Sequence, residues 1–149
     1  MGRALAACAV CVCVLFSGAS ACSRSPQYER VAAVAGRVRL PLAEVGNGGV
    51  HFFSYLAEGG ENVAFLVRTD GEGVLRTHLD ACFSCYRYRR GFVVEGRQVV
   101  CRACRYAYDL GEAEWDYIGA CAPIPLGSTV IGDELVIERQ RLEAAARFF

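Results

Sequence analysis

Two pairs of closely spaced cysteines constrain the fold of this chain more than any other feature of its sequence. Cys82 and Cys85 form the first pair, and Cys101 and Cys104 form the second after an interval of fifteen residues. The resulting pattern, C-x2-C-x15-C-x2-C, has the spacing of four-thiolate metal sites. A tight turn of two residues between paired cysteines lets both sulfurs face one ion about 2.3 Å away. We therefore expect two strand-end knuckles, joined by a hairpin, around one metal centre.

Three other interpretations of the pairs stay open. In an oxidising compartment, each pair could close as a local disulfide. One pair could act as a thioredoxin-like dithiol, although such a motif is expected to precede a helix in a βαβ unit. Here the run from Tyr86 to Gly91 follows the first pair, and it is rich in arginine and tyrosine. The four cysteines could also be small buried side chains with no shared role.

The identity of the metal is open at this level. Four cysteines suit an iron–sulfur cluster and equally a purely structural zinc ion. Copper fits less well, because blue-copper sites use histidine and often methionine, and the only methionine is Met1. Cys121 stands two residues before Pro123, in a segment that a second proline, Pro125, stiffens further. It is a candidate auxiliary or replacement ligand, or alternatively a small buried side chain.

Polar residues near the pairs are candidates for the surroundings of the centre. By the two-residue period of a strand, His78 and Asp80 share a face with Cys82, so His78 could contact the ligands or bind the metal. We expect Asp80 to accept a backbone hydrogen bond at the knuckle rather than to bind metal. His51, on an aromatic strand face, is a further candidate for a supporting role.

Arginines dominate the segment between the first and the last of these four cysteines. It holds five arginines and one acid, Glu95. Guanidinium groups would offset the negative charge of four thiolates around a metal ion. They could also dock an acidic redox partner, or simply form a solvated basic face.

The N-terminus has the organisation of an export signal, which we assign to residues 1–21. Arg3 is a short basic region, and Ala4 to Phe16 is an apolar run of the length expected for a signal peptide and too short to span a membrane. Ala19-Ser20-Ala21 fits a cleavage site, and with Cys22 it also resembles a bacterial lipobox. We predict a lipid on Cys22, with ordinary secretion or a retained anchor as alternatives, and a polar tether over residues 22–30.

Cleavage there would discard three of the nine cysteines, Cys8, Cys11 and Cys13. Five would then remain besides Cys22, an odd number that leaves one thiol over in a pure disulfide framework. The predicted location is the periplasmic side of a bacterial membrane, lipid-anchored through Cys22, or alternatively soluble in the periplasm or secreted.

Composition excludes several classes of function. The chain has 16 basic and 16 acidic residues, so it has no overall field that would attract nucleic acid. Every basic residue is arginine, which rules out Schiff-base and lysine general-base chemistry. The motifs of P-loop, serine-hydrolase and zinc-protease sites are missing from the sequence. We therefore predict a protein without hydrolase or transferase activity, and leave open a role as a redox carrier.

The length of 149 residues favours one domain. Alternating apolar segments punctuated by glycine and aspartate predict a small, mainly β domain of the α+β class over residues 31–138, with a helical tail over 139–149. Leu110 to Ile118 is expected to be a loop or a single helical turn. The predicted strands lie around Val38-Arg39-Leu40 and over Val50–Leu56, Asn62–Arg68, Val74–Ala81, Gly91–Glu95, Gln98–Cys101, Thr129–Ile131 and Glu134–Glu138.

The chain resembles the family of FtrD-like membrane iron–sulfur proteins. The likeness covers roughly Val50 to Ile137 and ends in a Cys-x-Pro-x-Pro-Leu motif. Ala122 stands where the family usually has asparagine. The residues that carry the likeness are His51–Tyr55, Ala64–Val67, Asp80–Cys85, Gly91-Phe92, Val99–Cys104 and Ile118–Leu126.

This resemblance implies a domain on the outer side of the cytoplasmic membrane, associated with an iron-uptake system and carrying an iron–sulfur centre. The five matched cysteines would be its ligand candidates, and the partner would be a membrane permease or a redox partner of that system. Many relatives carry membrane spans, so a lipid on Cys22 would supply the tether here. The alternatives are a zinc-stapled structural or binding module and a dithiol oxidoreductase.

Overall fold

The computed structural model describes residues 26–115 and 121–149. Within these residues the chain forms eleven strands, two α-helices and two short 3-10 helices. The strands are β1 Tyr28–Val31, β2 Arg37–Pro41, β3 Val50–Leu56, β4 Asn62–Thr69, β5 Leu75–Cys82, β6 Phe92–Glu95, β7 Gln98–Cys101, β8 Ala107–Asp109, β9 Pro123–Pro125, β10 Thr129–Ile131 and β11 Glu134–Glu138. The α-helices are α1 Leu42–Val45 and α2 Arg139–Ala145, and the 3-10 helices are Tyr86–Tyr88 and Ala146–Phe148.

A five-stranded sheet in the order β1-β3-β4-β5-β9 forms the centre of the molecule. β1 runs parallel to β3, and the other neighbours are antiparallel. Successive side chains of a strand point to opposite faces, and both faces of this sheet are apolar. Phe52 and Phe53, for example, are both buried, each in a different hydrophobic cluster.

The first cluster forms the larger core. It packs one face of the central sheet against a three-stranded sheet in the order β10-β11-β2 and against α2. Phe65 of β4 and Ile137 of β11 are fully buried there, and so is Leu142 of α2. The C-terminal helix is therefore part of this core.

The second cluster lies on the opposite face of the central sheet and contains the cysteines. A three-stranded antiparallel sheet in the order β6-β7-β8 covers this face. Phe92 and Val99 are fully buried in this cluster, together with Leu66 from the central sheet. The cysteine pairs thus sit where the small sheet meets the end of β5.

The mainly β class is confirmed. β6 and β7 pair across Gly96, and β10 and β11 pair across Gly132-Asp133, so both predicted hairpins are present. Two short strands, β8 and β9, were not predicted from the sequence. β1 begins at Tyr28, inside the segment predicted as a tether, so the folded domain starts three residues before the expected boundary at Val31.

Some predictions concern residues that the structure does not describe or describes only in part. The signal segment 1–21 and Cys22 lie outside the described residues. Residues 110–115 form turns and loop without a helix, and the remainder of the predicted loop, 116–118, also lies outside the described residues.

Candidate metal centre

The first cysteine pair forms a tight knuckle at the end of β5. Cys82 is the last residue of the strand, and its carbonyl oxygen accepts a 3.0 Å hydrogen bond from the backbone N–H of Cys85. The N–H of Phe83 donates to the carbonyl of Ala122 at 3.0 Å, which ties the turn to the segment before β9. Because the chain reverses within two residues, both sulfurs of the pair face the same side.

The second knuckle follows β7. The carbonyl of Cys101 accepts a 2.8 Å hydrogen bond from the N–H of Arg105, and the N–H of Cys101 donates to the carbonyl of Tyr106 at 2.9 Å. Arg105 has φ +64°, a left-handed conformation that usually favours glycine. The turn around Cys104 therefore depends on an unfavourable backbone conformation, held by hydrogen bonds on both sides.

The two knuckles bring four sulfurs together. The Sγ atoms of Cys82, Cys85, Cys101 and Cys104 all lie within 4.8 Å of one another, and all four are free thiols. Four thiolates that share one tetrahedral ion at about 2.3 Å are about 3.8 Å apart. The set therefore fits a four-thiolate centre in its chemistry, and its spacing is close to that around a single ion. Among the described residues, no other histidine, cysteine or acid belongs to this group.

Solvent reaches the centre from one side. Cys82 and Cys101, the two strand-end cysteines, are each 2% exposed. Cys85 is half-buried and Cys104 is exposed. The second cysteine of each knuckle is thus the more accessible one.

Asp80 connects the two knuckles. Its carboxylate accepts hydrogen bonds from the Tyr28 hydroxyl at 2.6 Å and from the backbone N–H of Phe92 at 2.7 Å. Gly91 has φ +62°, and a Cβ atom at this position would collide with the Asp80 carboxylate. The Gly91 carbonyl in turn accepts a 3.0 Å hydrogen bond from the N–H of Arg102 in the second knuckle. The Asp80 carboxylate and Gly91 therefore link the end of β5 to the second cysteine pair. Asp80 accepts a backbone hydrogen bond, as the sequence predicted.

Cys121 lies beside the group of four. Its Sγ atom is 3.6 Å from that of Cys104, although it is not among the four sulfurs that are all mutually close. The hydroxyl of Tyr108 donates to the backbone carbonyl of Cys121. Cys121 therefore lies next to Cys104, the exposed member of the group of four.

Burial and the proximity of other thiols shift the pKa values of several of these cysteines. Burial, followed by interactions with neighbouring thiols, raises the pKa of Cys85 and of Cys121. Burial is also the main reason that the pKa of Cys101 is raised. Burial opposes ionisation of Cys104 as well, but a backbone hydrogen bond from Tyr106 and hydrogen bonds from other thiols outweigh it, so the pKa of Cys104 is lowered. The accessible thiol is thus the most easily ionised of these.

The two candidate histidines occupy different environments. His78 stacks on Trp115 with 4.7 Å between ring centroids, and its buried Nδ1 atom has no hydrogen-bond partner among the described residues. Burial, together with the positive charges of Arg68 and Arg76, lowers the pKa of His78 to about 3. The His51 ring is 2.9 Å from Asn47 Oδ1, next to the turn before β3. Neither histidine joins the thiol group.

Arg68 and Trp115 support this side of the molecule, although the sequence pattern did not single them out. The Arg68 side chain is fully buried and donates to the carbonyls of Leu110 and Glu112 at 3.0 and 2.8 Å. Its guanidinium carbon lies 4.1 Å from the centroid of the Trp115 ring, which also contacts Tyr108. The sequence signal for Arg68 was an arginine at the end of an apolar strand. A buried charge needs hydrogen-bond partners, and the sequence does not show that the carbonyls of Leu110 and Glu112 supply them.

A protein-family match is consistent with a metal centre at these cysteines. The model of a family described as membrane iron–sulfur containing protein, FtrD-like, matches residues 45–149. This chain belongs to the FtrD-like family. The match extends over the five cysteines of the site, from Cys82 to Cys121, and the donor set fits the iron–sulfur centre that the family description names.

The FtrD-like family model is the match on which the assignment rests. No curated protein and no solved structure matches it. The family description places its members at a membrane. Within the described residues, no helix combines the length and the apolar character needed to cross one.

Proposed function

We propose that Cys82, Cys85, Cys101 and Cys104 hold an iron–sulfur centre, and that the protein transfers electrons or handles iron beside a membrane iron-uptake system. The observation that carries a metal centre at these four cysteines is the mutual approach of their sulfurs to within 4.8 Å. The choice of an iron–sulfur centre over a single zinc ion rests on the family description. The family description supports both the iron–sulfur chemistry and the association with a membrane. The partner in this proposal is a permease or a redox protein of the uptake system.

A carrier role follows from the completeness of the ligand set. Four thiolates satisfy a tetrahedral ion and leave no open position for a substrate, in contrast to catalytic sites with three protein ligands. An iron–sulfur centre supplies one-electron redox chemistry, and hydrogen bonds, net charge and solvent exposure tune its potential. Here the knuckle hydrogen bonds and the Asp80–Gly91 contact hold the thiolates in place. The exposed Cys104 marks the side on which a redox partner could approach.

Cys121 has an auxiliary role in this proposal. Its sulfur lies 3.6 Å from that of Cys104, close enough to replace a ligand after a small movement. The hydrogen bond from Tyr108 to the Cys121 carbonyl restrains its backbone in that position. His78 and Asp80 would act through packing and hydrogen bonding rather than as ligands, and His51 lies at a different part of the surface.

The proposed location is the periplasmic side of a bacterial membrane. Removal of residues 1–21 and a lipid on Cys22 would tether a domain whose first strand begins at Tyr28. The domain over residues 31–138 and the tail over 139–149 fold together in this arrangement, because Leu142 of the tail is buried in the main core.

Structural zinc is the second candidate, and the compactness of the site favours it. Bridging sulfides in a multinuclear cluster hold its four thiolates further apart than a single ion does. Sulfurs within 4.8 Å of one another lie close to the spacing of about 3.8 Å expected around one ion. A zinc-stapled module would use the same four cysteines without any redox role.

Anaerobic purification followed by metal and sulfide analysis tests the proposal. Iron with acid-labile sulfide and a visible chromophore supports an iron–sulfur cluster, whereas iron without sulfide indicates a single-iron four-thiolate centre. Stoichiometric, colourless zinc would instead establish the second candidate. Metal-free protein with reducible disulfides would contradict both and favour a dithiol oxidoreductase.

The matched variants are Cys101→Ser and Cys121→Ser. The first removes a buried member of the group of four, and the second removes the neighbouring thiol. The proposal requires the metal to be lost when Cys101 is replaced in a chain that also lacks Cys121, because Cys121 could otherwise take its place. Full metal content in the double variant Cys101→Ser/Cys121→Ser would exclude the assigned ligand set.

A further inference from the structure

A cavity of about 640 Å³ opens next to the cysteine centre. Cys82, Cys85 and Cys101 line it, whereas Cys104 and Cys121 do not. The cavity therefore reaches three of the four candidate ligands but not the fifth cysteine. Its volume lies within the range of about 300–1,000 Å³ that is typical of sites for small molecules.

Three arginines line this cavity, namely Arg89, Arg90 and Arg102. None of the three has an ion-pair or side-chain hydrogen-bond partner among the described residues. Other arginines of the same region do have partners, since Arg105 pairs with Glu95 at 2.9 Å. Arg102 interacts electrostatically with the Asp80 carboxyl of the same cavity, so the charge without an ion-pair partner among the described residues is that of Arg89 and Arg90.

The acidic residues of the cavity do not cancel this charge. The Asp80 carboxylate is buried and already accepts hydrogen bonds from Tyr28 and Phe92. Glu61 is exposed and lies on the opposite wall, in the turn between β3 and β4. Three arginines and two acidic residues therefore line the cavity, so positive charge is in excess there.

The backbone beside the cavity is turned in an unusual way. Arg89 has φ +50°, a conformation that favours glycine over residues with a side chain. It ends the 3-10 helix Tyr86–Tyr88, and Gly91 with φ +62° follows two residues later. Arg89 is therefore carried on a sharp turn of the chain that lines the cavity.

We propose that this cavity binds a small anion that carries two or more carboxylate or phosphate groups. Guanidinium groups bind such oxyanions through paired, charge-assisted hydrogen bonds. The concave shape suits a small molecule rather than the acidic surface of a protein. The bound anion would lie beside Cys82, Cys85 and Cys101, so its charge would act directly on the metal centre. The inference does not depend on which metal the cysteines hold.

Isothermal titration calorimetry tests the site on the purified protein with its own metal. The probes are tricarballylate and pyrophosphate, titrated at constant ionic strength, with metal content measured before and after. We expect saturable one-to-one binding of at least one probe. Replacing Arg89 or Arg90 with glutamine should weaken it about tenfold or more, as expected for a charge-assisted hydrogen bond.

Arg87→Gln is the matched control. Arg87 is an exposed arginine of the same segment, but it does not line the cavity, so its loss should change the dissociation constant less than twofold. Glu61→Gln should lower the dissociation constant of the anion, whereas the arginine variants should raise it, because the substitution removes a carboxylate that repels the anion. The latter variant keeps the test decisive even where an arginine variant folds poorly.

Two results would overturn the inference. One is the absence of saturable binding of either probe up to about 10 mM under conditions where the protein is folded and loaded. The other is an equal loss of affinity in Arg87→Gln and Arg90→Gln, which would show only general attraction to a basic surface. Neither result depends on iron or sulfide content, so the proposed metal centre would stand or fall separately.

Discussion

The carboxylate of Asp80 accepts a 2.7 Å hydrogen bond from the backbone N–H of Phe92, and this contact joins the strand of the first cysteine pair to the hairpin of the second. Asp80 lies two residues before Cys82, and Phe92 is the register partner of Cys101 in the β6–β7 hairpin. This buried hydrogen bond therefore helps to fix the position of one knuckle relative to the other. The convergence of the four sulfurs depends on it together with the turns within each pair.

Gly91→Ala should disrupt this link. The new Cβ would collide with the Asp80 carboxylate and would also occupy a positive-φ position. We expect a loss of about 2 kcal/mol or more in the free energy of unfolding, from overpacking added to the strain of the left-handed backbone. Metal content should fall in the same variant. Chemical denaturation and metal analysis measure the two effects.

Gly96→Ala is the control for that substitution. Gly96 has φ +61°, nearly the same as Gly91, but nothing lies within 4 Å of its virtual Cβ. Only the backbone cost of about 1 kcal/mol should then appear, with metal retained. Equal destabilisation of the two variants would mean that the Asp80 contact contributes nothing beyond backbone strain.

Cys121→Ser should keep the metal but hold it less tightly. The Cys121 sulfur is 3.6 Å from that of Cys104 but does not belong to the group of four, so its loss leaves the main ligand set intact. We expect stoichiometric metal after purification and faster release to a competing chelator than in the unchanged protein. Release at an unchanged rate would reduce Cys121 to a packing role.

His78 should make the protein less stable in acid. The pKa of His78 is about 3 in the folded protein because of its burial, against about 6.5 when unfolded. The unfolded state therefore binds a proton more readily, and stability falls as the pH drops below about 6.5. Between pH 7 and pH 4.5 the loss should be about 3 kcal/mol.

His78→Phe isolates this contribution. Phenylalanine can keep the stacking on Trp115, and the buried Nδ1 atom that it removes has no hydrogen-bond partner among the described residues. The pKa of Asp80 is raised to about 6 by burial, and this opposite effect on the pH dependence is common to both proteins and cancels in the comparison. Thermal unfolding at several pH values should show the variant gaining stability relative to the unchanged protein as the pH falls from 7 to 4.5. Parallel slopes would contradict a buried neutral His78.

Removal of the metal should destabilise the domain. Binding to the folded ligand set adds to the free energy of unfolding, because the unfolded chain has no preformed site. The raised pKa of Cys85 and of Cys101 means that protons must leave these thiols when metal binds, so affinity should fall as the pH falls. Calorimetric scans with and without a chelator, at two pH values, measure both effects. If the chelator removes the metal and the melting temperature does not change, metal binding does not stabilise the fold.

The sequence was informative where the relevant contacts are local. The spacing of Cys82 and Cys85, and of Cys101 and Cys104, predicts two turns, since two intervening residues leave few backbone paths. Alternation of apolar residues predicts most strands for the same reason, because the period of a strand is a local property. β8 and β9 were missed. Each is only three residues long, and neither is joined by a two-residue turn to the strand with which it pairs, as the equally short β10 is.

Tertiary contacts, by contrast, set which residues surround the centre. Asp80, Gly91 and Tyr28 meet through contacts that span up to 52 residues, and no local pattern specifies such a meeting. The same holds for the cavity beside the cysteines, whose arginines and opposing turn come from separate parts of the chain. Residue types and their spacing were enough to predict the donor atoms and the turns that carry them, because both are local properties. The convergence of these atoms, their burial and the excess of arginine beside them come from long-range packing on one face of the central sheet.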